Sequence, residues 1–130
     1  MAKLLFDTNI LLSHWRRFPR NEERSEENLR KWARKLIDDY STDWICSPVL
    51  VEMLAGTRTA DDLRFHRAFL GEFRVIDEKK TPPEDWQRAQ SIAQRIPVDG
   101  SPRDLGDCLI RAIADRLHCE VWTADQRFPS

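Results

Sequence analysis

The chain has 130 residues, of which 41% are hydrophobic and 33% charged, and its formal net charge is −1. This composition is too apolar for a disordered chain, and the length suits one globular domain spanning residues 1–130. No apolar run approaches the roughly 18 residues that span a bilayer, and the first residues lack a signal-peptide pattern, so we expect a cytoplasmic protein with no membrane contact.

The first half of the chain alternates short apolar runs with helical periodicities. Leu4-Leu5-Phe6 predicts a strand buried on both faces. Asn21 is expected to cap a long helix. The apolar residues at helical spacing in that helix are Leu29, Trp32, Ala33, Leu36, Ile37 and Tyr40. Residues 44–46 predict a second strand, and Ser47-Pro48 predicts the cap and first residue of a helix that Gly56 ends.

The second half continues the alternation. A helix is expected from about Ala60 to Leu70, a third strand over residues 73–76, and a fourth over residues 120–123. Between the last two strands, one helix after Pro82-Pro83 reaches Ile96, and another opens at Pro102. Strands alternating with helices predict a three-layer α/β/α domain with a mainly parallel central sheet.

Acidic residues follow these elements at informative places. Asp7 directly follows the first strand, and Asp125 lies just beyond the fourth. Ligands of open parallel sheets bind outside the carboxyl ends of the strands, so both acids are expected at that edge. Asp104 and Asp107 lie three residues apart at the start of a helix, and Glu52 lies inside an apolar helix, where an unpaired carboxylate is costly to bury.

Most of these acids also have a purely structural interpretation. Asp7 suits a helix N-cap, Asp125 an Asx-turn, and Asp104 and Asp107 a favourable interaction with the helix dipole. Asp107 could also pair with Arg111. Glu52 is the exception. It lies among valine, leucine and methionine, where burying an unpaired carboxylate costs free energy, and no structural role would offset that cost. The convergence of all five acids favours a functional site.

Clustered carboxylates form a hard-oxygen site of the kind that Mg²⁺ or Mn²⁺ prefers. Such an ion can lower the pKa of a bound water and hold the geometry of phosphodiester attack. The three cysteines, Cys46, Cys108 and Cys119, form no CxxC pair, which argues against zinc and against a disulfide framework. The histidines, His14, His66 and His118, are interpreted as ordinary surface or helix residues without a catalytic role.

Four segments resemble the PIN-domain nucleases, and within them the VapC-type toxins of bacterial toxin–antitoxin pairs. The opening strand with Asp7-Thr8-Asn9 resembles the first motif of the family, and the segment Ser47–Gly56 the second. The third motif is resembled by Asp107-Cys108-Leu109-Ile110-Arg111-Ala112-Ile113-Ala114, and the last by Thr123-Ala124-Asp125-Gln126-Arg127-Phe128. All four occur in order over essentially the whole chain.

The resemblance implies a PIN-like fold with four to five strands and a metal-dependent ribonuclease that cuts tRNA, ribosomal RNA or mRNA and so inhibits translation. It implies that Asp7, Glu52, Asp107 and Asp125 are the catalytic residues that bind Mg²⁺ or Mn²⁺. Asn9 and Thr123 would orient these carboxylates or the attacking water. Asp104 has no fixed place in the family pattern, and we expect it as an additional ligand because it lies one turn before Asp107. A cognate antitoxin and a homodimer are the implied protein partners.

Candidate contact surfaces for those partners are the helix 29–40 and the segment around Phe65 and Phe69, unless these residues simply face the sheet. The sequence departs from the family pattern at Arg111, where alanine is usual, and at Ala124, where arginine is usual. The chain also leaves little room for a last short strand.

Two other functions compete with the ribonuclease. The first is a PIN-like module that binds RNA or assembles with partners without cutting, which loss of a core acid would favour. The second is a phosphatase or phosphotransfer domain, which would usually carry a second acid where this chain has Asn9. The retention of all four acids favours the nuclease.

Overall fold

The computed structural model describes residues 3–95 and 102–129. The described chain forms four short strands and six helices, with two helices between each strand and the next. Their bounds are β1 Lys3–Phe6, α1 Thr8–Arg16, α2 Glu26–Tyr40, β2 Trp44–Ile45, α3 Ser47–Ala55, α4 Ala60–Leu70, β3 Arg74–Val75, α5 Pro83–Ala93, α6 Leu105–Arg116 and β4 Cys119–Trp122. Among these helices, none is both long and apolar enough to cross a membrane.

The four strands form one parallel sheet in the order β3-β2-β1-β4. Leu5 of β1 pairs with Trp44 on one side and with Val121 on the other. Leu5 and Phe6 have no exposed surface, as expected for a central strand covered on both faces. The predicted three-layer α/β/α fold is thus confirmed, and the carboxyl ends of all four strands meet at one edge. No fifth strand follows β4 in the described residues up to 129.

Helix α2 shows how the apolar residues are used. Leu29, Ala33 and Leu36 recur at helical spacing and are buried, whereas Tyr40 is 40% exposed. Phe69 of α4 is also fully buried in the main core. Most of the residues considered as contact surfaces therefore face the protein interior.

Several predicted boundaries are wrong because the capping interactions lie elsewhere. Ser25, not Asn21, caps α2 by accepting a hydrogen bond from the Asn28 backbone N–H (3.1 Å). Ser47 is inside α3 rather than its cap, and its backbone N–H and hydroxyl donate to Asp77 at 3.0 and 2.9 Å. Asp77 follows β3, so the cap of α3 comes from a distant part of the sequence.

The last two helices also begin or end differently from the prediction. α6 begins at Leu105 after an Asp104 cap, rather than at Pro102. α5 ends at Ala93, and Ile96, predicted to continue it, lies outside the described residues. The two helices pack around a small core of their own, whose residues are Ala89, Ile92, Cys108, Leu109 and Ala112. All three cysteines are buried and free.

Candidate active site

Asp7 lies between the end of β1 and the start of α1, at the carboxyl edge of the sheet. Its backbone N–H donates to the Trp122 carbonyl (2.9 Å), which continues the β1–β4 pairing to the strand end. Its side chain is only 3% exposed, and Oδ1 accepts the Thr8 backbone N–H at 2.7 Å. Asp7 is therefore a helix N-cap, and the structural interpretation is correct as far as it goes. The surroundings of its other oxygen show a second role.

The Thr123 hydroxyl connects the ends of the neighbouring strands β1 and β4 at this edge. It donates to Oδ2 of Asp7 at 2.7 Å and accepts from the Asn9 side-chain amide at 3.2 Å and the Asp125 backbone N–H at 3.0 Å. The Asn9 carbonyl oxygen in turn accepts the Ala124 backbone N–H at 3.3 Å. Asn9 and Thr123 thus hold Asp7 and the loop that carries Asp125 by hydrogen bonds.

Glu52 reaches the same edge from α3. Its Oε1 accepts a hydrogen bond from the Thr8 hydroxyl at 3.0 Å, so the residue between Asp7 and Asn9 holds a third acid. Glu52 was expected to be buried in an apolar helix, and this is wrong, because the residue is exposed and its neighbour Val51 is 62% exposed. The end of its side chain nevertheless lies against the first turn of α6, and this partial burial raises its pKa.

The first turn of α6 contributes two acids with different tasks. Asp104 is the N-cap, and its Oδ1 accepts the backbone N–H groups of Gly106 (2.8 Å) and Asp107 (3.3 Å). Asp107 lies within the helix, and no hydrogen bond or ion pair to its side chain is present among the described residues. The two acids are therefore not equivalent ligands on one helix face, since a structural interaction already holds Asp104.

Asp125 lies in the loop after β4 and has a basic neighbour. Its Oδ1 accepts the Arg127 backbone N–H at 2.9 Å, which forms the Asx-type turn that the sequence allowed. The Arg127 guanidinium approaches the same oxygen at 3.4 Å, and its side chain is 65% exposed. Arginine is thus present near this acid at position 127, although position 124, where the family usually carries it, is alanine.

The five acids influence one another electrostatically. Burial raises the pKa of Asp107 to about 7, and the charges of the other four acids act in the same direction. Burial also raises the pKa of Asp7, against the opposing effect of the hydrogen bonds from Thr123 and Thr8. Such mutual repulsion between carboxylates favours protonation or the binding of a cation.

The donor set suits a hard divalent cation, because every candidate ligand is a carboxylate oxygen. Within residues 3–95 and 102–129, no three acidic, histidine or cysteine side chains are already arranged to hold an ion. This agrees with the repulsion between the acids and with the hydrogen bonds that engage Glu52, Asp104 and Asp125. The residues fit a metal in chemistry and in charge, and Asp107 is the acid with the fewest competing contacts.

All seven site residues predicted from the sequence therefore lie at one edge of the sheet. Sequence reasoning missed Thr8, although its place between Asp7 and Asn9 was a usable signal, and it missed Gly106, for which there was none. His14 and His66, expected to be ordinary surface or helix residues, lie in α1 and α4 and are buried at 8% and 5% exposure. The His14 ring stacks on Trp32, and the His66 ring lies tilted with its centroid 4.0 Å from that of Trp15.

The PIN domain family model matches residues 4–130. The chain therefore belongs to the PIN domain family, whose members are commonly metal-dependent nucleases. A search of curated proteins found no match.

Proposed function

We propose that this protein is a Mg²⁺- or Mn²⁺-dependent endoribonuclease that acts as the toxin of a toxin–antitoxin pair. The observation that carries the proposal is the meeting of Asp7, Glu52, Asp107 and Asp125 at the carboxyl edge of a parallel sheet with few compensating cations. Within residues 3–95 and 102–129, only Asp125 of these four acids forms an ion pair, with Arg127, and that contact is long and exposed. A site of this charge attracts a divalent ion and, through it, the phosphate of RNA.

The reaction would be hydrolysis of one phosphodiester bond, in which the oxygen of a water attacks phosphorus and the bond to the leaving oxygen breaks. The metal, when bound, supplies a lowered pKa for that water and neutralises charge on the phosphate. Asp7, Glu52, Asp107 and Asp125 would hold it. Thr123 keeps Oδ2 of Asp7 in place by its 2.7 Å hydrogen bond, and a carboxylate of the cluster takes up the proton that the water loses.

The first experiment replaces Asp7 by asparagine, which removes a ligand charge with little change in volume. Asparagine is as good an N-cap as aspartate, so the fold should persist. We expect RNA cleavage with Mg²⁺ or Mn²⁺ to fall by at least a hundredfold, a loss of about 2.7 kcal/mol in transition-state stabilisation. Asp38→Asn, at an exposed position of α2, is the matched control and should cleave like the parent. Equal cleavage by Asp7→Asn and the parent would refute the assignment, and a parent that binds RNA without cutting would favour the non-catalytic module.

The toxin role needs a separate test in cells. Production of the chain alone in bacteria should slow growth by inhibiting translation, and Glu52→Gln should relieve the effect at equal protein level. Unimpaired growth at verified expression would contradict the toxin role without contradicting the nuclease chemistry. The remaining parts of the proposal are action in the cytoplasm on tRNA, ribosomal RNA or mRNA, inhibition by a cognate antitoxin, and a homodimer.

A further inference from the structure

Gly106 lies at the contact between α3 and the first turn of α6, beside the Glu52 carboxylate. A Cβ atom at position 106 would lie 2.7 Å from Oε1 of Glu52, 3.0 Å from its Cδ and 3.1 Å from Oδ1 of Asp104. Contacts below 3.0 Å do not occur for real Cβ atoms, so a side chain at position 106 and the present Glu52 position exclude each other. The Glu52 carboxylate therefore occupies the space that a side chain at position 106 would need.

Glycine is otherwise an unfavourable residue at this position. Gly106 is the second residue of α6, where alanine would be the better helix former. Its φ is not in the left-handed region, so the backbone itself does not require glycine. Its N–H donates to Asp104, a hydrogen bond that any residue other than proline could make. The close approach of Glu52 is therefore the requirement that the structure shows for glycine here.

Thr8 completes the arrangement from the opposite side. Its hydroxyl donates to the same Oε1 that a Cβ at position 106 would displace. The Glu52 carboxylate thus accepts a hydrogen bond from α1, and it fits against α6 because position 106 has no side chain. This explains how an exposed residue on α3 can have a fixed position near Asp7 and Asp107.

We propose that Gly106 is a positioning residue. Because it has no Cβ, the Glu52 carboxylate can lie at the carboxyl edge of the sheet, where the Thr8 hydroxyl holds it by a hydrogen bond. The inference rests on the proposed function, in which Glu52 is a metal ligand. Its test therefore measures Mn²⁺ affinity and metal-free stability as well as RNA cleavage.

The main variant is Gly106→Ala, and the matched control is Gly56→Ala. Gly56 follows the last residue of α3 and has room for a Cβ, whose nearest neighbour would be 3.5 Å away. For Gly106→Ala we expect Mn²⁺ affinity to fall by about tenfold, as for other residues that orient metal ligands, with cleavage reduced in parallel. Its melting temperature without metal should equal or exceed that of the parent, because alanine favours the helix and a flexible Glu52 can move aside. Gly56→Ala should bind Mn²⁺ like the parent.

Two further variants test whether the effect passes through Glu52. In the Glu52→Asp background the carboxylate is one methylene shorter, so Gly106→Ala should reduce Mn²⁺ affinity by clearly less than tenfold. Thr8→Val should also weaken Mn²⁺ binding, and its combination with Gly106→Ala should be less than additive, since both act on one carboxylate.

The outcomes separate this inference from the proposed function. If Glu52→Gln weakens Mn²⁺ binding but Gly106→Ala does not, the positioning role of Gly106 is wrong and the metal site stands. If Glu52→Gln binds Mn²⁺ as the parent does, Glu52 is not a ligand, and both fail. If Gly106→Ala does not fold and Glu52→Ala fails to restore folding, the conflict is with another group, such as the Asp104 carboxylate at 3.1 Å, which also overturns the inference.

Discussion

Asp85 and Asp7 are both almost completely buried, at 1% and 3% exposure, but the protein compensates their charges in different ways. Asp85 of α5 receives two hydrogen bonds from the Arg116 guanidinium, at 2.8 and 3.0 Å. Asp7 receives one backbone N–H and one hydroxyl, and its charged neighbours are other acids. Asp85, which is buried for the fold, has an arginine partner, whereas Asp7 has none among the described residues. This difference distinguishes the acid at the candidate site from Asp85.

The largest expected effect comes from removing the cation of the structural pair. Arg116→Met leaves Asp85 buried without its partner, and we expect the free energy of unfolding to fall by about 3 kcal/mol in urea denaturation. Arg88→Met is the matched control, because Arg88 and its partner Asp115 are 49% and 35% exposed, and it should change the free energy by under about 0.5 kcal/mol. Adding Asp85→Leu to Arg116→Met should recover part of the loss. Equal effects of Arg116→Met and Arg88→Met would show that the buried pair is not special.

A smaller loss of stability is expected when the Thr123 hydroxyl, which donates a hydrogen bond to buried Asp7, is removed. Thr123→Val keeps the shape but removes the donor to Asp7 and the acceptor for Asn9 and the Asp125 N–H. We expect a loss of about 1–2 kcal/mol in the free energy of unfolding and at least tenfold weaker Mn²⁺ binding. Thr57→Val removes a single hydroxyl bond, to the Leu54 carbonyl (2.8 Å), and should leave Mn²⁺ affinity unchanged. If Thr123→Val bound Mn²⁺ as tightly as the parent, the idea that Thr123 orients Asp7 for metal binding would be wrong.

The smallest effect has the opposite sign. The folded pKa of Asp107, about 7, lies above its ordinary value of 3.8, so between these pH values the metal-free folded protein binds more protons than the unfolded chain. Its contribution to stability is therefore present at low pH and lost as pH rises through about 7. Asp107→Asn should raise the metal-free free energy of unfolding at pH 8 by about 1 kcal/mol and flatten its dependence between pH 5 and 8.

The control for this prediction is the structural acid. Asp85→Asn should destabilise the protein at pH 8, because it weakens a compensated pair instead of relieving repulsion. His14 has a lowered pKa and so opposes folding as the pH falls, but it is present in all the compared proteins and cancels. If Asp107→Asn destabilised the metal-free protein at pH 8, Asp107 would not be repelled by the other carboxylates of the site.

Much of the site could be predicted from sequence because its residues adjoin the ends of strands. Once Leu4-Leu5-Phe6 and residues 120–123 are recognised as strands of a parallel sheet, Asp7 and Asp125 must lie at the same edge. The helix predicted over residues 60–70 is likewise observed with the same bounds, Ala60–Leu70. Such local signals do not depend on which segments pack together.

Other features required the tertiary structure. The cap of α3 comes from Asp77, 30 residues away, and Glu52 is exposed because α3 turns only part of its apolar surface to the core. The burial of His14 depends on α2, since His14 and Trp32 form hydrogen bonds with each other's backbone carbonyls at 2.6 and 2.7 Å. No local pattern specifies such partners, because they are chosen by the packing of distant helices.

The parallel α/β architecture and the seven polar residues at its edge could be predicted from the sequence, because apolar periodicity and strand ends are local properties of the chain. The different roles of those residues follow from the packing of the helices. Asp104 is a helix cap, the Asp107 side chain has no hydrogen bond or ion pair among the described residues, and Gly106 leaves room for Glu52. Those roles depend on distances between helices that are remote in sequence, and side-chain contact there is governed by space and charge.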